Sequence, residues 1–174
     1  MSKHSTDLES DIEIKNQAIH IRPINSNDIE REKQFVEKLS PESRHFRFLN
    51  GMHQLTDKAA SDLCEIDYDK KMAFIAVIKN RNNGEQEIGV SRYATDDKNE
   101  CECAITVADE WKNHGLGKIL MNKLIDFAHS KGKTVLYSID LADNTHMHQL
   151  ANDLGMNSKR DPDDVTMVRY ELTL

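Results

Sequence analysis

The chain has 174 residues, 30 of them acidic and 23 basic, for a formal net charge of −7. That length fits one domain with a real hydrophobic core and leaves no room for two ordinary catalytic domains, while the acidic balance disfavours a bulk nucleic-acid binder. No apolar stretch approaches the roughly 20 residues of a membrane span, and the N-terminus MSKHSTDLESD lacks the apolar core of a signal peptide, so a cytoplasmic location without membrane contact is expected.

Residues 1–17 are polar and charged and read as a loose tail, with the domain proper running from 18 to 174. AIHIRPI, from Ala18, alternates as a strand and ends near Pro23. Asn25-Ser26-Asn27-Asp28 then supplies capping side chains for a helix over about 28–39. Ser40-Pro41-Glu42-Ser43 restarts a short helix carrying Phe46, Phe48 and Leu49, and Thr56-Asp57 caps a third helix to about Ile66. MAFIAVI (72–78), IGVSRYA (88–94) and CECAITV (101–107) are strand signals separated by the polar turns NRNNGEQ and TDDKNE, and they predict an antiparallel meander.

The segment that follows carries the chemistry. After Val107 comes a short polar turn and then Lys112-Asn113-His114-Gly115-Leu116-Gly117-Lys118, opening a helix to about Lys131 with Leu116, Ile119, Leu120, Leu124, Phe127 and Ala128 at helical spacing. The first amides of a helix lack intrahelical acceptors and meet the positive end of its dipole, so they can take a phosphate. Gly115 and Gly117 would let that ligand approach the backbone, although a glycine here can also simply ease a loop-to-helix junction. Neither a GxxxxGK[ST] nucleotide loop nor a dinucleotide fingerprint fits, because Ile119 follows Lys118 and position 120 is Leu. TVLYSIDL (134–141) is a further strand, Asn144 to Leu154 a second amphipathic helix ended by Gly155, and VTMVRYELTL a final strand after the RDPDD turn.

Three cysteines, Cys64, Cys101 and Cys103, cannot form a fully paired disulfide framework. Alternation puts Cys101 and Cys103 on one strand face as small apolar groups, and no metal site is expected. His146 and His148 lie two apart on a helix and do not share a face. Trp111 is expected to anchor the loop, and Asp109-Glu110 to serve the turn before it. Glu102 interrupts an otherwise apolar strand just upstream of the glycine loop, either as a solvated charge or as a base.

Lys112-x-x-Gly115-x-Gly117 resembles the coenzyme A pyrophosphate loop of the GNAT superfamily of N-acetyltransferases, usually Gln or Arg, two residues, Gly, one residue, then Gly or Ala. Lys112 departs from the usual first residue. Ile21-Arg22-Pro23, Leu39-Ser40-Pro41-Glu42-Ser43-Arg44, Phe46-Arg47-Phe48, Ile66-Asp67-Tyr68-Asp69 and Arg92-Tyr93 further resemble the acetyltransferase domain of bacterial protein lysine acetyltransferases, over about residues 18–172 and without a regulatory domain. The resemblance implies an α+β GNAT fold, with a mixed central sheet of about six or seven strands flanked by four or five helices. It implies acetyl-CoA as cosubstrate and a primary amine as acceptor, protein lysine or a small amine, in a monomer or homodimer.

By the same resemblance Glu102 matches a general base. Val107, Lys112, Asn113, His114, Gly115, Leu116, Gly117, Lys118 and Asn144 match the cofactor-binding positions, with the amide near Val107 as oxyanion donor. Arg44, Arg47, Asp67 and Tyr68 are the candidates on the acceptor side. Asn144 has a second role open to it as a helix N-cap. Many members place a tyrosine general acid where this chain has Ala151, so either another group protonates the coenzyme A thiolate or none does. That vacancy keeps open an alternative, a catalytically weak acyl-CoA-binding sensor or interaction module.

Overall fold

The computed structural model describes residues 8–49, 52, 54–96 and 99–174. The described residues form eight strands, most of them built on alternating apolar side chains. They are β1 (Ser10–Ile14), β2 (Gln17–Pro23), β3 (Lys71–Lys79), β4 (Glu85–Ala94), β5 (Glu100–Val107), β6 (Val135–Leu141), β7 (Asn157–Arg160) and β8 (Met167–Thr173). They form one sheet in the order β1-β2-β3-β4-β5-β6-β8-β7. Every pairing is antiparallel except β5 with β6.

Five helices of the described residues flank it: α1 (Ile29–Lys38), α2 (Pro41–Phe48), α3 (Asp57–Cys64), α4 (Leu116–Ser130) and α5 (Thr145–Asp153). The fold is α+β with a mixed sheet, as the sequence implies. Its eight strands exceed the expected six or seven, and the two additions lie at the sheet's edges.

The first addition corrects the loose-tail expectation. Ser10–Ile14 pairs along its whole length with β2, with Ile12 opposite Ile19, and Ile12 and Ile14 pack against the core. Lys15 and Asn16 hold φ of 55° and 58°, the left-handed pair of a two-residue hairpin turn. Residues 1–7 of that tail, and Asp97 and Lys98 of the second meander turn, lie outside the described residues. The second addition, β7, is exposed at all four positions, so no apolar alternation announces it.

Two apolar layers cover the sheet. On one face α4 lays Leu116, Leu120, Met121, Leu124 and Phe127 against Ile19, Phe74, Ile88, Cys101 and Cys103. On the other, α1 and α3 bring Phe35, Val36, Ala60 and Cys64 onto Ile75, Val77 and Val90. A smaller cluster, with Met147 and Ala151 of α5 packed on Val168 and Tyr170, covers the β6-β8-β7 end. None of the described helices is long and apolar enough to cross a membrane.

A bulge in β4 sets up a buried polar group on the α1 face. Val77 pairs with Glu87 but Ala76 with Gly89, so Ile88 is an extra residue and the alternation resets there. Arg92 Nη2 bonds Glu32 at 2.8 Å and Nη1 donates to the Leu63 carbonyl at 2.9 Å. The Glu87 carboxyl is fully enclosed, and burial together with the neighbouring Glu32 charge pushes it well above the usual carboxylate range.

Candidate active site

The strand pair β5 and β6 is where the sheet opens. Their parallel register covers Glu100↔Val135, Cys101↔Leu136 and Glu102↔Tyr137 and then stops, although β5 continues to Val107 and β6 to Leu141. β5 and β6 are therefore parallel neighbours, joined through α4, and divergent. The Ala108 amide donates to the Ile88 carbonyl at 2.9 Å, so antiparallel alternation aims the even-numbered amides of β5 at β4. The amides of Ile105 and Val107 consequently point into the opening.

A cavity of about 320 Å³ runs through this seam and reaches both faces of the sheet. Cys103 lies on the α4 face, and Glu102, exposed and one residue earlier, turns to the α2 face. Phe46, Arg47 and Glu102 line the cavity on that side; Gly115, Gly117, Asn144 and Met147 line it on the other. Burial lowers the Arg47 guanidinium to about 10, with the charge of Arg92 adding to the effect and the carboxylates of Glu32, Asp140 and Glu102 opposing it.

The glycine loop leaves its helix open. Side chains of Ser40, Thr56 and Asn144 cap α2, α3 and α5, whereas Gly115 at the N-cap of α4 provides none. Gly115 has φ of 85°, a conformation that L side chains rarely adopt, and Asn113 has φ of 61°. The first intrahelical bond runs from the Ile119 amide to the Gly115 carbonyl, leaving the amides of Leu116, Gly117 and Lys118 ahead of it without helical acceptors. Such a cradle fits a pyrophosphate. The Leu116 side chain is wholly buried, so only its backbone is offered, while His114 and Lys118 are exposed beside the loop.

Lys112 is held differently from the expectation. Its Nζ donates to Ser43 Oγ at 2.6 Å and to Asp109 at 3.1 Å, which engages it in the protein. Asp109 also accepts from the Ser40 amide and from the hydroxyls of Ser40 and Ser43, and these donors with Lys112 outweigh burial and hold its carboxyl far below the usual range. The turn before the loop is thus clasped to the start of α2. Trp111 is buried beneath it, with Lys15 Nζ 5.5 Å from its ring centroid.

Asn144 caps α5 by accepting from the Met147 amide at 3.2 Å, and its Nδ2 donates to Asp140 at 3.2 Å. Three acceptor-side candidates are not brought to the cavity. Arg44 donates to the carbonyls of Glu37 and Leu39 and closes the end of α1. Asp67 accepts from the amides of Asp69, Lys70 and Lys71, and Tyr68 sits beside it with φ of 60°. Both serve the turn into β3, at the end of the sheet where β5 begins. The residues not anticipated are Ser43, Ser138 and Asp140; the one signal for Asp140 was its place at a strand end, four residues before a helix cap.

An uncapped helix start behind a parted parallel strand pair suits the pyrophosphate and arm of an acyl-CoA, as an acyl-CoA-dependent transferase requires. The acetyltransferase (GNAT) family profile matches residues 32–156. An acetyltransferase of Pseudomonas aeruginosa, PA5475, is 44% identical over 156 residues, covering 88% of this chain and 83% of that protein. The GNAT domain of Streptomyces lividans PAT superposes with a TM-score of 0.88 at 25% identity, over 99% of this chain and all of that one. YncA from Salmonella typhimurium, solved with its cofactor acetyl-CoA, shares the fold with a TM-score of 0.72 at 16% identity, covering 90% of this chain and 94% of its own. The chain belongs to the GNAT acetyltransferase family, and its acyl donor is acetyl-CoA.

The open loop makes a binding prediction. A Cβ at position 117 would meet Val107 and Leu150 at 3.6 and 3.7 Å, ordinary contact distances, so Gly117→Val is expected to fold. Its two methyl groups obstruct the cradle, and calorimetric titration should show coenzyme A affinity lowered by about tenfold or more, a change of about 1.4 kcal/mol. Unchanged affinity in the folded variant would remove the loop from the site.

Proposed function

We propose that the protein transfers the acetyl group of acetyl-CoA directly to a primary amine, either a protein lysine or a small-molecule amine. The observation that carries this is the position of Glu102, the last β5 residue paired with β6 before the seam opens, facing the cavity on the side opposite the α4 loop. A lysine-like amine, with an ordinary pKa near about 10.4, is protonated at pH 7 and must lose a proton before it attacks. Glu102 accepts that proton, directly or through water.

The amides of Leu116, Gly117 and Lys118 would hold the pyrophosphate, with Asn113, His114 and Gly115 shaping the approach and Lys112 acting through its clasp with Asp109. Asn144 fixes the start of α5 beside the cosubstrate arm. The Val107 amide is oriented to stabilise the charge that builds on the thioester oxygen. Arg47 and Phe46 face the acceptor.

Thiol release from acetyl-CoA, measured with and without candidate amines, tests the assignment. Peptides, polyamines and amino sugars form the acceptor panel, with products identified by mass. Amine-dependent release with one acetyl group added is the expected result. Tight coenzyme A binding without transfer to any class would favour the sensor reading, to which Ala151 gives its specific support.

A further inference from the structure

Asp140 lies on β6 beyond the last residue paired with β5, and it lines the seam cavity. Its face of the sheet follows from alternation: Leu136 packs in the α4 cluster, Ser138 is paired with Tyr170 of the α5 cluster, and Asp140 is next in the same series. That is the face of the open helix start, opposite Glu102. Ser138 Oγ donates to Asp140 Oδ2 at 3.0 Å, and Asn144 Nδ2 donates to Oδ1 at 3.2 Å. Both donors are neutral, so the carboxyl is oriented without a bonded cation. Burial pushes it above its ordinary range, offset in part by those two bonds and by the charge of Arg47. Ala151, fully buried in the α5 cluster, offers only a methyl group.

We propose that Asp140, in its acid form, protonates the departing coenzyme A thiolate. The step rests on the acetyl-transfer reading above. The amine nitrogen forms the C–N bond to the thioester carbonyl carbon, and the C–S bond breaks with its electron pair leaving on sulfur. The Asp140 O–H proton passes to that sulfur, giving the free thiol and an Asp140 carboxylate. Glu102 has passed the ammonium proton to solvent before the attack, and it then takes the second proton, which the nitrogen loses as the amide forms. Solvent then takes a proton from Glu102 and returns one to Asp140, so the cycle closes with amide and thiol as products. A carboxylic acid is a far stronger acid than a thiol, so the transfer runs downhill, and an upward-shifted carboxyl keeps more of its acid form near neutral pH.

Asp140→Asn tests this, because the amide keeps the size and an oxygen for Asn144 but carries no acidic proton. Turnover is measured with acetyl-CoA and with its selenoester analogue, whose selenolate leaves as a stable anion. With acetyl-CoA the variant should lose about 10²-fold or more. With the selenoester it should recover to within a few-fold of the unsubstituted protein, whereas Glu102→Gln should stay slow with both donors. Equal losses with both donors for Asp140→Asn would mean that the residue only positions Asn144, and wild-type turnover with acetyl-CoA would also overturn the proposal. Carbon-13 NMR of the aspartate carboxyls gives a readout independent of turnover. The resonance missing in Asp140→Asn should titrate above the ordinary carboxylate range and move further up when coenzyme A binds. If the unsubstituted protein acetylates no amine, the acetyl-transfer reading fails by itself, and the NMR titration still decides on Asp140: an ordinary midpoint, unmoved by coenzyme A, overturns its role.

Discussion

Replacing Glu102 by Gln is expected to lower turnover about 10²-fold or more while leaving acetyl-CoA affinity nearly unchanged. The amide keeps the size of the side chain and much of its hydrogen bonding but cannot accept the ammonium proton, and a general base contributes on this scale. Glu102 faces the α2 side of the seam, away from the helix start that would hold the phosphates, so binding has little reason to change. Raising the pH should recover part of the loss, because more of the acceptor amine is then already neutral. Wild-type turnover by Glu102→Gln at neutral pH, with chemistry limiting the rate, would leave water or backbone-assisted transfer as the better account.

Arg92→Met should produce the largest loss of stability, about 3–5 kcal/mol. The guanidinium is the cation bonded to Glu32; the Glu32 side chain is almost wholly buried and that of Arg92 largely so. Its removal leaves Glu32 facing the enclosed Glu87 carboxyl with no positive charge bonded to it. Domains of this kind have about 5–15 kcal/mol in all, so the urea midpoint should fall steeply. Adding Glu32→Leu removes the orphaned charge, and the double variant should regain most of the deficit. A single variant as stable as the unsubstituted protein would show that Glu32 is neutralised by another route.

The strong periodic segments of the sequence map directly onto the structure. β3, β4, β5 and α4 match their predicted spans to within a few residues, because each carries its own alternation or helical stripe. The glycine loop was legible for a related reason: an uncapped helix start needs only local residues. β1 escaped because its two isoleucines sit among charges, and β7 because NSKR has no apolar residue to signal a face. The acceptor side was less legible. Arg44 and Asp67 resemble binding residues in sequence, yet the backbone groups they bond belong to a helix end and a turn. Asp140 and Ser138 meet the cavity only because β6 departs from β5, and no local pattern encodes that departure.

The short register between β5 and β6 has a mechanical consequence. Five strands, β1 to β5, form one antiparallel plate with α1 to α4 laid on its two faces, and β6, β8 and β7 form a second plate beneath α5. Within the sheet only three residue pairs stitch the plates together. The shortest register in the sheet is therefore the line along which the proposed acetyl transfer would take place. Under load or in hydrogen exchange, the smaller plate should come away first, as a flap along a perforation.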